Sequence, residues 1–419
     1  MRACASVAVP HVTSTLAKLS VCRTDALGSM LYGCRDCGEL KRVHHSCGDR
    51  HCPQCRGAAR ASWVDSASTW ILPNIDYYQV VFTIPSELSA LALGNRREMF
   101  NLLFRSAWRS LRHVIEDEQQ FEAAAAMVLH TWNQKLDAHI HVHAVVPGGG
   151  PSLDKPNAWK TPSPPPGREH HDFWLVDANV LRAEFRERFL DGLKRLHRDG
   201  KLKLDGDWSF LRSAAAFSAW LQPLETIDWV TFIQPPPTEL SRPDEIVKYL
   251  ARYLTGGPIS DFRITNEDGH KVTFTARTGA THGGSDEIEE VTVPAVEFVR
   301  RWCLHILPSG YTKSRRFGGL SNHHAKRYLA HCRELLAAAA LAPSTTDSAP
   351  VAENTKPESK QELPDPNLEI DPFAHRCDHC AGRLILLIRS HRTSWRDVFS
   401  GASRPAWYDP PRTMSGRFA

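Results

Sequence analysis

Three groups of side chains stand out for the chemistry they could do. The first is His139-Ile-His141-Val-His143, in which imidazole and apolar residues alternate. In a strand, side chains two apart share a face. Three imidazoles would then line one surface while Ile140 and Val142 enter the core. Adjacent imidazoles repel when protonated, so a bound cation is a natural reason to gather them. His130 lies on the preceding apolar run, and antiparallel pairing through a turn near residues 136–137 would bring it to His141 and His143. Three imidazoles leave open positions on a divalent ion, which can then act as a Lewis acid. The plainer alternative is a wet sheet face that happens to carry histidines.

The second group is Tyr249 and Tyr253, within Glu245–Leu254. At a spacing of four they share one face of a helix. By themselves two such tyrosines would more often pack a core. Beside a cation, a phenol whose ordinary pKa is about 10 is drawn toward the phenolate, a nucleophile able to form a covalent phosphotyrosine and release a 3′ hydroxyl. Two tyrosines on one face could alternate, each holding one strand.

Cysteine forms the third group. Seven of the eleven lie in the first 55 residues, which in a reducing compartment points to metal rather than disulfides. The pairs Cys34-Arg-Asp-Cys37 and Cys52-Pro-Gln-Cys55 are expected to complete one closed, structural Cys4 zinc site. Cys22, Cys47 and His51 are left over. They make most of a second zinc site, with His11, His44 or His45 as the fourth ligand, or they are simply buried thiols and a surface histidine. Cys377-Asp-His-Cys380 offers half a site, to be completed by Cys332 or nearby histidines unless it is degenerate.

The elements that would position these groups are legible in outline. A small metal-stapled module is expected over residues 1–72, ending in a helix from Ala58 to Leu72. Strands are expected over Tyr77–Pro85, Met127–Gln134, His139–Val146 and Trp229–Ile233, with helices over 87–122, 176–203, 245–254 and 294–307. Residues 270–276 and 289–293 suggest a hairpin. The central domain, 73–335, thus reads as α+β, an at least partly antiparallel sheet with helices. Residues 336–371 are expected as a linker, acidic and proline-rich over 343–371, and 372–419 as a tail.

Charge agrees with a polyanionic partner. Residues 343–371 carry a net −5, so the formal +4 of the chain leaves +9 elsewhere. Arg315, Arg316, Lys326 and Arg327 are candidates for phosphate contact, and Trp63, Trp70 and Trp132 for base stacking. A solvated basic helix explains the four basic residues equally well, and tryptophans in a domain of this size are more often core. No apolar run approaches the roughly 20 residues of a membrane span, and the start lacks the pattern of a signal peptide. A cytoplasmic, nucleoid-associated protein is expected, with no membrane partner.

Taken in order, these landmarks resemble the two-tyrosine HUH transposases of the insertion-sequence ninety-one type. The likeness runs over roughly residues 20–335. It includes Cys22-Arg-Thr-Asp-Ala-Leu-Gly28, Arg50-His-Cys-Pro-Gln-Cys55, Val81-Phe-Thr-Ile-Pro85, Leu129-His-Thr-Trp132, the histidine run, Tyr249-Leu-Ala-Arg-Tyr253, and Arg316-Phe-Gly-Gly-Leu-Ser-Asn322. The resemblance implies an HUH endonuclease domain whose paired histidines are His141 and His143, with His130 third and His139 flanking. It implies Tyr249 and Tyr253 as nucleophiles, magnesium or manganese as cofactor, and single-stranded DNA, at element ends and target, as substrate in rolling-circle-like transposition. After Tyr253 the chain reads Leu-Thr-Gly-Gly-Pro-Ile-Ser260 where many relatives carry a threonine-histidine-arginine run, which leaves local phosphate contacts open. Three rivals share some of these residues: a relaxase or replication initiator with the same chemistry, a non-catalytic zinc-dependent DNA-binding protein, and a metallohydrolase that activates water.

Overall fold

A computed structural model of the chain describes residues 9–155, 157–167, 173–236, 251, 255–278, 287–341 and 376–400. In chain order the elements begin with α1 (Pro10–Ser20), β1 (Ser29–Cys34), β2 (Leu40–His44), α2 (Arg56–Ser68), β3 (Tyr77–Thr83), α3 (Ser89–Gly94) and α4 (Arg96–Gln119). Next come β4 (Ala124–Trp132), β5 (Ala138–Pro147), β6 (Gly150–Pro151), β7 (Trp159–Lys160), α5 (Ala178–Arg198), α6 (Ala214–Leu221) and β8 (Val230–Gln234). The last are β9 (Ile264–Glu267), β10 (Lys271–Thr278), β11 (Glu287–Pro294), α7 (Ala295–Cys303), β12 (Ser314–Gly318), α8 (Ala325–Leu341), β13 (Leu384–Arg389) and α9 (Trp395–Ser400). The described residues fall into two compact units, one built on 9–13 with those between 56 and 341, the other on 14–55 with 376–400.

The larger unit is α+β. Its principal sheet has the order β12-β4-β5-β3-β8, and every pairing in it is antiparallel. Period-two alternation divides the sheet into two faces. On one, Val80, Phe82, Met127, Leu129, Ile140, Val142 and Ala144 are buried with Phe100, Phe104 and Leu111 of α4 and Phe185, Phe189 and Leu193 of α5. These helical residues recur at spacings of three and four, so each helix turns one apolar stripe to the strands. On the opposite face Ala124, Ala126, Val128 and Val145 pack against Trp70 beyond α2 and Tyr328, Leu329 and Cys332 of α8. The alanines keep this face low. Farther along the same face β4 continues to His130 and β5 runs back through His143 and His141.

The turn between β4 and β5 is set by short-range chemistry. The Asn133 side-chain oxygen accepts from the backbone N–H of Lys135 and of Asp137, both at 2.9 Å. Leu136 takes a left-handed φ of 64°. Its burial holds it there despite the cost of that conformation for a non-glycine residue.

The smaller unit carries the antiparallel sheet β13-β1-β2. The tail that the sequence reads as a separate piece supplies its β13, with Cys34 opposite Leu384 and Met30 opposite Arg389. Helix α8 continues to Leu341, past the boundary of 336 expected for the linker. Residues 343–371 themselves lie outside the described residues. Among the described residues, no helix is long and apolar enough to cross a membrane.

Candidate active site and metal centres

Strand pairing assembles the histidines. His130 is opposite His141, and Val128 is opposite His143. On the other side of β5, Thr83 is opposite His141 and Val81 opposite His143. Ring centroids of His130 lie 5.3 Å from His141 and 4.7 Å from His143. The Nε2 atoms of His141 and His143 are 3.0 Å apart. Two adjacent positions on an octahedral ion with bonds of ~2.1 Å are about 3.0 Å apart, so the spacing suits a divalent cation. His130, His141 and His143 can each offer one nitrogen within 4.8 Å of the others.

The second nitrogens of His141 and His143 are held from outside. His141 Nδ1 donates to the carbonyl of His139 at 2.9 Å, which leaves Nε2 as the ligand atom. The Gln79 side-chain amide lies 3.1 Å from His143 Nδ1. His130 stacks on Trp132 at 4.6 Å. Burial, followed by the neighbouring His143 and His139, holds His141 well below the ordinary imidazole pKa. Burial first and then the Lys313 ammonium lower His143 to about 4. Neutral imidazoles are the form that binds metal. His139 lies beside this group, 4.9 Å from His141 ring to ring, and is not one of the three convergent ligands.

Two further residues belong to this place, and neither was singled out from the sequence. Lys313 sits over the Trp132 ring at 5.1 Å and donates to the Gly256 carbonyl at 2.7 Å. Its only signal in the sequence is its closeness to Arg315 and Arg316. His305 is 2% exposed, with Nε2 donating to the Leu136 carbonyl at 3.0 Å and Nδ1 3.1 Å from the Thr131 hydroxyl. It fastens the turn and the strand that carry the ligands. No motif marks it.

Tyr249 and Tyr253 lie outside the described residues. Ala251 between them is fully buried, and the Thr255 N–H donates to its carbonyl at 3.0 Å, the spacing of a helical bond. Arg60 Nε donates to the Thr255 hydroxyl at 3.4 Å.

The four basic residues expected to grip phosphate are placed differently from one another. Arg315 faces Met127 across the strand pair, on the core side of β12. Its guanidinium covers the Phe104 ring at 4.4 Å and donates to Asn101 Oδ1 at 2.6 Å. It is a packing residue here. Arg316 points to the other face and donates to Asn322 Oδ1 at 2.6 Å. With Trp63, Trp70, Val128, Ser314 and Asn322 it lines a cavity of about 420 Å³. Lys326 and Arg327 are exposed at the start of α8.

The cysteines sort into two clusters of four, in partnerships other than those expected. Cys22, Cys47, Cys52 and Cys55 form one, with Sγ atoms 3.6 Å apart across three pairs. Cys34 and Cys37 do not join Cys52 and Cys55; they meet Cys377 and Cys380. The reason is the sheet: β1 ends at Cys34 and β13 follows Cys380, so their pairing brings the two CxxC turns together. Thiolates at ~2.3 Å from a tetrahedral zinc are about 3.8 Å apart, near these separations, whereas a disulfide is ~2.05 Å. Backbone N–H groups of Asp49 and Cys47 point at Cys47 Sγ and Cys22 Sγ, both at 3.4 Å. Burial, then the Cys22 thiol, pushes Cys52 up to about 12. His51 pairs with Asp49 at 3.0 Å, His44 with Asp25 at 3.4 Å, and His45 with the Ser390 carbonyl at 2.8 Å. Neither His11 nor any of these joins a cysteine cluster among the described residues.

Comparison with known proteins places this geometry in a family. A family model described as "Transposase zinc-binding domain" matches residues 3–84, and one described as "Putative transposase" matches residues 125–327. The first range contains the Cys22 cluster. The second contains the three histidines and the positions of Tyr249 and Tyr253. The chain is 35% identical over 332 residues to "Putative transposase y4qJ" of Sinorhizobium fredii (strain NBRC 101917 / NGR234), covering 79% of each protein. It is 28% identical over 376 residues to the transposase for insertion sequence element IS801 of Pseudomonas savastanoi pv. phaseolicola, covering 88% of this chain and 82% of that one. A solved structure, the conjugative relaxase TrwC in complex with oriT DNA, aligns over 42% of this chain and 71% of that chain at 15% identity, with a TM-score of only 0.22. Identity at the first of these levels, sustained over most of both chains, reflects common descent, and the protein belongs to the IS91-type transposases.

Proposed function

We propose that this transposase nicks and rejoins single-stranded DNA through 5′-phosphotyrosine intermediates, in rolling-circle-like transposition. The observation that carries the reading is the convergence of His130, His141 and His143 at the end of the sheet face beyond the residues covered by α2 and α8. Three imidazoles, with the outer nitrogens of His141 and His143 held by the His139 carbonyl and the Gln79 side chain, suit a divalent ion with open positions. Between magnesium and manganese the all-nitrogen set favours manganese, the better match for imidazole. A cation held there supplies Lewis acidity at a phosphate oxygen.

The chain's own residues do the rest. Tyr249 or Tyr253 attacks phosphorus through its phenolate oxygen. The bond to the 3′ oxygen breaks, and that oxygen takes up a proton as the 3′ hydroxyl. The energy of the broken ester is kept in the tyrosyl ester, so a later attack by a 3′ hydroxyl rejoins a strand without an external energy source. Lys313, which lies over the Trp132 ring and donates to the carbonyl of Gly256, three residues after Tyr253 in sequence, supports this reading. Its ammonium also adds positive charge where phosphate must lie.

The test is a denaturing gel of the full chain with labelled single-stranded DNA bearing the element's ends and manganese or magnesium. A metal-dependent protein–DNA adduct is expected, lost in the Tyr249→Phe/Tyr253→Phe double variant and in His141→Ala. Cleavage without an adduct that survives in the double variant would replace this reading with attack by metal-activated water.

A further inference from the structure

We propose that Cys34, Cys37, Cys377 and Cys380 bind a second structural zinc ion, one that clasps residues 376–389 onto the N-terminal hairpin. The matched zinc-binding family model ends at residue 84 and so contains only half of these ligands.

Three observations carry the proposal. The first is distance. Cys34 Sγ lies 3.4 Å from Cys380 Sγ, Cys37 Sγ 3.6 Å from Cys377 Sγ, and Cys380 Sγ 3.4 Å from Cys37 Sγ. The spacing is too long for any disulfide and close to that of thiolates sharing one tetrahedral ion.

The second is that the two CxxC turns have the same backbone. In the first, the Gly38 N–H donates to the Cys34 carbonyl at 3.1 Å and the Cys34 N–H to the Glu39 carbonyl at 2.8 Å. In the second, the Ala381 N–H donates to the Cys377 carbonyl at 2.8 Å and the Cys377 N–H to the Gly382 carbonyl at 2.9 Å. Gly38 and Ala381, each just after the second cysteine of its pair, both have left-handed φ, 75° and 57°. An alanine in that conformation is uncommon and is kept where the surrounding structure demands it. Two unrelated stretches of chain thus fold into the same turn, each presenting two sulfurs to one point.

The third is what surrounds the cluster. Its apolar core is small: Tyr32, Cys34, Cys377 and Leu384, with Met30 and Val43 packed against them. Lys41 and Asp378 form an ion pair at 2.8 Å across the two turns, too exposed to contribute much. Strand β13 leaves Leu386, Leu387 and Ile388 41%, 49% and 58% exposed. A three-stranded sheet with so little burial needs a staple. The Arg35 N–H meets the Arg383 carbonyl at 3.3 Å, and a side chain on Gly382 would collide with the Asp36 carboxylate. The two turns are therefore in direct contact.

The test is zinc content of the purified full chain by mass spectrometry, after mild chelation clears the histidine site. Two ions per chain are expected. Cys377→Ser/Cys380→Ser should hold one, and Cys22→Ser/Cys47→Ser should hold the other one. Cys380→His, which preserves a tetrahedral donor set, should restore two and separates ligation from misfolding. A second readout uses a specific protease site introduced within residues 343–371. After cleavage the C-terminal piece should stay bound, and a strong chelator should release it. A wild type that holds one ion, or a Cys377→Ser/Cys380→Ser protein that still holds two, overturns the proposal.

Discussion

Replacing His305 with glutamine should make the protein less stable or neutral near pH 7.5 and more stable than wild type at pH 5. His305 is buried, and burial lowers its pKa to about 4, against about 6.5 in an unfolded chain. A folded pKa below the unfolded value means that protonation favours unfolding. The stability tied to the neutral ring is complete above pH 6.5 and is lost as pH falls toward 4. Between pH 7.5 and pH 5 the loss works out at about 2 kcal/mol. Glutamine does not titrate, yet it can donate to the Leu136 carbonyl and accept from the Thr131 hydroxyl, the two contacts His305 makes. At pH 7.5 the exchange should cost no more than ~1 kcal/mol. Urea unfolding of the zinc-loaded protein measures both. With an m value of ~2 kcal/mol/M, the difference between the two midpoints should change by about 1 M across this pH range. The other histidines are common to both proteins, so their contributions cancel. A variant whose cost is the same at both pH values would refute the account of His305 as a buried neutral strut.

Gly192→Ala should destabilise by about 1–3 kcal/mol, because the added Cβ would run into the Leu102 side chain where α5 crosses α4; thermal melting checks this, and an unchanged or raised Tm would show that Leu102 can give way. Lys313→Met should raise the pKa of His143 above its value of about 4, since the ammonium is the second cause of its depression after burial; imidazole NMR of the metal-free protein reads the shift, and no movement would place Lys313 outside the site.

How far the site could be read from sequence depended on the range of the interactions involved. The alternation across His139–His143 is a local period, and the strand it predicts is present with Ile140 and Val142 in the core. The pairing of His130 with His141 followed from a turn of a few residues, again local, and the register agrees. The sequence offers Arg315 and Arg316 together as phosphate contacts, although the same period-two rule separates them; Arg315 faces the Phe104 side and Arg316 the other. The cysteine partnerships were beyond reach for a different reason. Thiolates are interchangeable as ligands, so spacing along the chain cannot select which two CxxC turns meet. That choice is made by β1 pairing with β13, a contact between residues 34 and 384 that no local pattern encodes. His305 escaped notice because its role is to satisfy two buried polar groups, and such partners are defined only in three dimensions.

The joining of β1 to β13 also sets a clock on synthesis. Cys37 and Cys377 are 340 residues apart. At roughly 5–20 residues per second, about 20–70 s pass on the ribosome between their appearances. Throughout that interval the hairpin of β1 and β2 has an open edge and two unsatisfied thiols, while the intervening sheet and helices are free to fold. A chain released before residue 389 never closes that edge. Nascent and prematurely terminated copies thus differ from finished ones in the state of a single small sheet.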